Sequence, residues 1–188
     1  MQNELEKLSD NELFKLLSKK NRESEYAFLE IYRRYSGRIY AYCKRFLGNR
    51  DDAMDALQDT FVNFYQAADE PKEMTNLPAY LLRIARNLCL NLVRQNKKTT
   101  QLEDYMYFES KMEEADSNEL LGLIHTALQQ LPADYREAFI LREYEGMSYQ
   151  EIADFLNISL SLVKIRIFRA KEKLREILSP YISEFSKM

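Results

Sequence analysis

The sequence predicts an all-α chain built as two small helical domains joined by an acidic linker. Three observations carry this. Gly 4 and Pro 4 in 188 residues are too few for a turn-rich β fold. Apolar residues recur at helical spacing in segment after segment, and no segment reads as a convincing strand. Finally, the apolar period fades from Lys97 to Asn118, and within 103–116 Glu103, Asp104, Glu109, Glu113, Glu114 and Asp116 are opposed only by Lys111. That composition reads as a flexible linker; the alternative is a capped surface helix around 103–114. The domains are therefore placed at 1–96 and 118–188, with the linker at 97–117.

Ser9-Asp10-Asn11-Glu12 fits a capping box and opens a short helix that turns Leu13, Leu16 and Leu17 inward. A longer helix follows at about 24–47, with Phe28, Ile31, Tyr32, Tyr35, Ile39, Tyr42, Cys43 and Phe46 at helical spacing. Gly48 stands where a left-handed cap belongs. Asn49 caps a third helix at about 50–67. Residues 69–76 read as a polar loop. Pro78 suits the first turn of a fourth helix, running to Asn96. Beyond the linker come helix 118–130, helix 132–144 opened by Pro132, a stop at Gly146, helix 148–156 and helix 159–178, with Pro180 ending the series.

Composition narrows the function. A formal net charge of −3 and a content of 46% hydrophobic and 30% charged residues are ordinary for a globular protein. Cys43 and Cys89 fall in apolar-periodic segments and read as buried thiols of a reducing compartment. His125 is the single histidine, so a His/Cys metal site is not expected. There is no Gly-rich phosphate loop, nucleophile elbow or His-based dyad, so no catalytic residues and no cofactor are expected. No signal-like segment opens the sequence and no apolar run approaches ~18 residues. The expectation is a cytoplasmic protein without membrane insertion.

What remains is charge segregation. SYQEIADFLNISLSLVKIRIFRAKEKL, residues 148–174, reads as a helix-turn-helix. Ser148 and Glu151 form a capping box, Ala153 is small where two helices approach, and Asn157 suits the turn. Val163, Ile167, Ala170 and Leu174 continue the core stripe. The opposite face carries Ser161, Leu162, Ile165, Phe168 and Arg169, flanked by Lys164, Arg166, Lys171 and Lys173. Apolar groups there suit thymine methyls, Arg169 suits guanine and the lysines suit phosphates; packing against the linker or a protein is the competing reading. In the fourth helix Leu81, Ile84, Ala85, Leu88 and Leu92 form the core side. Tyr80, Arg83, Asn87, Asn91 and Arg94 step by three or four into one polar stripe, with no acid between Arg83 and Lys98. Such a stripe suits a nucleic acid strand, although a solvated helix face carries the same pattern. The third helix is the reverse. Asp55, Gln58 and Asp59 lie away from Leu57, Phe61 and Phe64, and no Lys or Arg occurs from Asp51 through Pro71. That face repels DNA and suits a basic protein.

The sequence resembles the extracytoplasmic-function group of alternative sigma factors over about 8–96 and 118–178. YAFLEIYRRYSGRIYAYCKRF resembles region 2.1, DDAMDALQDTFVNFYQA region 2.2, and PAYLLRIARNLCLNLVRQNKK regions 2.3 and 2.4; LPADYREAFILREYEGMSYQEIADFLNISLSLVKIRIFRAKEKL resembles region 4. The resemblance implies a promoter-specificity subunit that joins core RNA polymerase through its beta-prime clamp helices and beta flap. It carries clamp docking onto Asp55, Gln58, Asp59 and Phe61. It carries minus-ten reading and melting onto Asn87, supported by Tyr80, Arg83, Asn91 and Arg94 and by the loop 69–77. Minus-thirty-five reading falls on Ser161, Leu162, Lys164, Ile165, Arg166, Phe168, Arg169 and Lys171. It also implies an anti-sigma factor as partner, and a linker that runs near the polymerase active centre. The chain departs from the family pattern at Tyr80, where Trp is frequent, and at Ser161, Leu162 and Ile165, where Gly, Thr and Ser are frequent. The competing function is an autonomous helix-turn-helix regulator with residues 1–96 as a sensing or dimerising domain.

Overall fold

A computed structural model describes residues 5–68, 74–100 and 119–185. All regular elements among them are α-helices, and the chain divides into two compact units, residues 1–96 and 97–188.

In the first unit α1 spans Asp10–Leu17, α2 Arg22–Leu47, α3 Arg50–Ala67 and α4 Leu77–Thr100. Each start has a local cause. Ser9 and Glu12 close a reciprocal capping box, Asn21 accepts from the N–H groups of Glu23 and Ser24, Asn49 caps Asp52, and Asn76 accepts from the N–H of Ala79 at 3.0 Å. Gly48 ends α2 at φ +88, a conformation open to glycine and costly to most other residues. The core joins Leu13, Phe14 and Leu17 of α1 to Ala27, Ile31, Ile39, Tyr42, Cys43 and Phe46 of α2, and to the buried side chains of α3 and α4. Both cysteines are buried and neither is in a disulfide.

One polar cluster is built into the α1–α2 seam. Glu30 is buried and accepts from Arg33 Nε at 2.8 Å and from Arg34 Nε at 2.7 Å. Arg34 reaches on to Asp10 Oδ1 at 3.2 Å, and the Tyr35 hydroxyl donates to Asp10 Oδ2 at 2.5 Å. The arginine hydrogen bonds, Arg33 first, hold the Glu30 carboxyl at about 2, well below its ordinary 4.5. Burial, and then the bond to Asp10, push the Tyr35 hydroxyl up to about 12.

Helix α4 differs from the expected pattern at both faces and at its end. Its buried residues are Leu77, Leu81, Leu82, Ala85 and Cys89, whereas Ile84, Leu88 and Leu92 are half-buried, so the core line is rotated from the one expected. The helical backbone also runs four residues past Asn96, into the segment assigned to the linker. The remainder of that linker, including the alternative helix at 103–114, lies outside the described residues, as do residues 69–73 of the loop.

In the second unit α5 spans Glu119–Gln129, α6 Ala133–Glu143, α7 Tyr149–Leu156 and α8 Leu160–Phe185. Ala127, Leu128, Leu131, Ala170 and Leu174 form a core cluster on which Ile124, Tyr135, Phe139, Ile177 and Leu178 pack. The Arg136 guanidinium closes the end of α5 by donating to the carbonyls of Gln129 at 3.0 Å and Leu131 at 3.1 Å. Pro180 does not end α8. Its fixed φ is compatible with a helix, and Ile177, Leu178, Pro180 and Tyr181 line a shallow groove with Leu123, Thr126, Ala127 and Gln130 of α5 and its C-terminal end. That packing offsets the one backbone hydrogen bond that proline removes.

Candidate nucleic-acid interface

The turn between α7 and α8 is fixed by its caps. The N–H of Glu151 donates to Ser148 Oγ at 3.2 Å, and the N–H of Ser148 donates to Glu151 Oε2 at 2.7 Å. Asn157 then adopts φ 55 and ψ 50, so its N–H and that of Ile158 both close on the Ala153 carbonyl. Ser159 Oγ accepts from the N–H of Leu162 at 3.2 Å and starts the second helix. With Ile152, Ala153, Leu156, Val163 and Ile167 buried, the two helices are held by a small apolar seam. This is the geometry of a helix-turn-helix, with α8 as the helix offered to a groove.

The outer face of α8 is apolar at its centre. Leu162 is 37%, Ile165 54% and Phe168 58% exposed, and Leu160 joins them at 37%. Ser161, Lys164, Arg169 and Lys171 are exposed around them. The cations are less available than the sequence suggests. Arg169 Nη1 donates to Glu172 Oε2 at 3.0 Å, and Lys171 Nζ lies 2.8 Å from Glu143 Oε1. Arg166, placed on the reading face by the family pattern, is turned aside. At about 100° per residue it stands roughly 60° from Val163 on the core side, and its guanidinium lies 3.1 Å from Asp134 Oδ2 of α6.

On α4 the structure brings Arg83, Asn87, Asn91 and Arg94 to the surface in one line, all exposed. Tyr80 stands apart. It is half-buried, and its ring meets the buried Phe64 ring edge-on at 6.3 Å, so its role is partly to seat α4 on α3. Of the loop expected beside this stripe, Met74 and Leu77 are buried anchors and Asn76 is engaged as the helix cap.

Asp55, Gln58 and Asp59 are exposed on α3. Phe61 is not a surface contact. It is 2% exposed, with ring centroids 4.7 Å from Tyr32 and 6.1 Å from Phe28. The helical period places it with Leu57 and Phe64 on the buried side, and it forms the floor of a groove between α2 and α3. The walls are Phe28, Leu29, Val62 and Tyr65, with Glu25 and Gln66 at the rim. Leu29, Val62 and Tyr65 were missed from the sequence. Their signal was present: Gln58, Val62 and Tyr65 step by four and three beside the core stripe, where a solvated face carries polar residues.

Comparisons with known proteins agree with this geometry. The family model "Sigma-70 region 2" matches residues 31–99, and "Sigma-70, region 4" matches residues 121–174. The chain is 30% identical to the RNA polymerase sigma-H factor of Pseudomonas aeruginosa, over 90% of this chain and 95% of that protein. It is 31% identical to the ECF RNA polymerase sigma factor SigW of Bacillus subtilis, over 80% of this chain and 88% of that protein. Among solved structures it resembles the sigma factor RpoE bound to the anti-sigma factor NepR from Bartonella quintana. The TM-score is 0.68 at 29% identity, covering 81% of this chain and 96% of that one. CnrH in complex with the cytosolic domain of CnrY matches at a TM-score of 0.67 and 27% identity, covering 91% and 97%. The chain belongs to the sigma-70 family and, within it, to the extracytoplasmic-function group of RNA polymerase sigma factors.

Proposed function

We propose that this chain is a promoter-specificity subunit that binds core RNA polymerase and directs initiation at a defined set of promoters, without catalysis of its own. The observation that carries this reading is the separation of surfaces within residues 1–96. One face of α3 is acidic and borders an exposed apolar groove, while α4 offers an exposed line of two arginines and two asparagines. A polyanion is repelled by the first surface and attracted by the second, so the unit takes a protein on one side and nucleic acid on the other.

In this reading Asp55, Gln58, Asp59 and the groove over Phe61 dock on the beta-prime clamp helices. Asn87 receives an unstacked base of the minus-ten element, with Asn91, Arg83 and Arg94 along the strand and Tyr80, half-buried against Phe64, beside the line. Unstacking costs a few kcal/mol per base, and hydrogen bonds to the base edge return part of it. The second unit lies against the beta flap and enters the minus-thirty-five major groove with α8. The domains are those of the sequence reading, 1–96 and 118–188. An anti-sigma factor controls access to these surfaces, as the anti-sigma complexes of the two structural relatives suggest. The site of action is the cytoplasm; no helix among the described residues is long and apolar enough to cross a membrane.

The test is transcription in vitro from a genomic promoter library with bacterial core polymerase, with and without this protein. New start sites that share two spaced motifs and need the protein are the expected result. No new starts, together with tight salt-sensitive binding by the protein alone, would replace this reading with an autonomous helix-turn-helix regulator.

A further inference from the structure

We propose that α8 selects its upstream promoter element by thymine methyl groups, through Leu162, Ile165 and Phe168; this rests on the promoter-reading function above. The three side chains follow one another at intervals of three residues. At a rise of about 1.5 Å per residue they span roughly 9 Å, which matches about three base steps. The major groove offers one apolar marker, the C5-methyl of thymine; its other features are donors and acceptors. Ile165 and Phe168, each more than half exposed, have no polar atom with which to satisfy guanine O6 or cytosine N4. Set against a G·C pair they would dehydrate those atoms without replacing the lost hydrogen bonds. Against thymine they bury methyl surface. The face thus favours thymine in two ways, by contact and by exclusion.

The surroundings point to DNA rather than to a protein as the occupant. No carboxylate occurs between Leu160 and Lys171, and the charged groups that border the apolar strip on α8 are the exposed cations Lys164, Arg169 and Lys171. It lies on the second helix of a helix-turn-helix whose turn is closed by hydrogen bonds on both sides. The ion pairs of Arg166, Arg169 and Lys171 with carboxylates of the same unit reduce what phosphate contact contributes. A larger share of the affinity then falls to the apolar strip.

The experiment uses the reconstituted holoenzyme on a promoter from which it initiates, with each thymine of the upstream element replaced in turn by deoxyuridine. That change removes the methyl group and leaves the base-pairing edge intact. Promoter binding is expected to fall roughly three- to fivefold at each contacted thymine. The Ile165→Ser variant, in which the family's frequent residue is restored, should lose that sensitivity at one position and keep it at the others. Normal initiation with no deoxyuridine effect at any position would overturn the methyl reading and leave the sigma function standing. Weakened polymerase assembly in Ile165→Ser, with the holoenzyme that still forms responding to deoxyuridine as the parent does, would reassign the strip to a protein contact. Absence of initiation from every promoter would remove both.

Discussion

The guanidinium of Arg166 lies 3.1 Å from the carboxylate of Asp134, so a cation of the DNA-facing helix is held by the first turn of the helix beside it. Glu143, at the end of that same helix, pairs with Lys171, and Glu172, one turn along the DNA-facing helix itself, pairs with Arg169. An Asp134→Asn variant frees Arg166 for a phosphate. Promoter affinity of the holoenzyme should rise, and the slope of log affinity against log salt should steepen by about 0.9 for the added phosphate contact. Stability should change little, because Asp134 is half exposed and such pairs contribute about 0–1 kcal/mol. A salt titration of promoter binding decides the matter; an unaltered slope would make Arg166 a purely structural partner of α6.

Phe61 and its neighbours Asp55 and Asp59 should separate by two readouts. Asp55→Arg with Asp59→Arg changes exposed positions, so urea unfolding should move by no more than about 0.5 kcal/mol. Affinity for core polymerase should drop by an order of magnitude or more, since a complementary field is reversed. Phe61→Ala empties a buried aromatic site and should cost about 3–5 kcal/mol of stability. Any loss of polymerase binding in that variant should therefore track loss of fold. Polymerase binding that survives the double charge reversal would exclude this face from docking.

Asn87→Ala is expected to slow promoter opening at least tenfold while leaving assembly with core polymerase nearly intact, as read by permanganate reactivity of the melted bases. The exposed side chain makes the substitution benign for the fold. Tyr80→Ala is a poorer probe of base stacking. It also removes the edge contact with Phe64, so stability and opening would fall together. Equal loss of assembly and opening in Asn87→Ala would argue against the base pocket.

Glu30 gives the first unit an acid limb. Its carboxyl is held at about 2 rather than 4.5, because Arg33 and Arg34 bond the charged form. The unfolded chain binds this proton more readily. The stabilisation is therefore complete above about 4.5 and disappears as pH falls towards 2. With Arg33 largely exposed, the contribution is on the order of 1 kcal/mol after screening. Glu30→Gln should be less stable than the parent at neutral pH and indistinguishable from it near the acid end. Denaturant midpoints across that range check the prediction; parallel curves would remove Glu30 from the acid response.

Local chemistry explains why so much of the fold was legible in the sequence. The starts of α1 and α7 each depend on a serine and a glutamate three residues on, and the ends of α2 and α7 on Gly48 and Asn157 in left-handed backbone. Such signals are complete within a few residues. The rest depends on neighbours. Pro180 reads as a terminator because nothing in its own segment reports the α5 surface that receives Ile177 and Leu178. Likewise, the stripe through Asn87 is visible as periodicity, but Tyr80 is drawn partly inward by Phe64, which comes from another helix. On α8, spacing alone locates the apolar strip; the carboxylates that occupy Arg166 and Lys171 come from α6.

The aromatic cluster around the α2–α3 groove has a kinetic meaning. Phe28 meets Tyr65 at 5.3 Å and Phe61 at 6.1 Å, and Tyr32 meets Phe61 at 4.7 Å, so each ring is braced by another. Flat side chains with few torsions, already wedged together, have little rotational freedom left to surrender when a partner arrives. Ordering a mobile side chain at an interface typically costs about 0.5–1.5 kcal/mol. Here most of that ordering is completed during folding, before any encounter. A helix meeting this groove finds a preformed mould, and association should proceed without a slow rearrangement step.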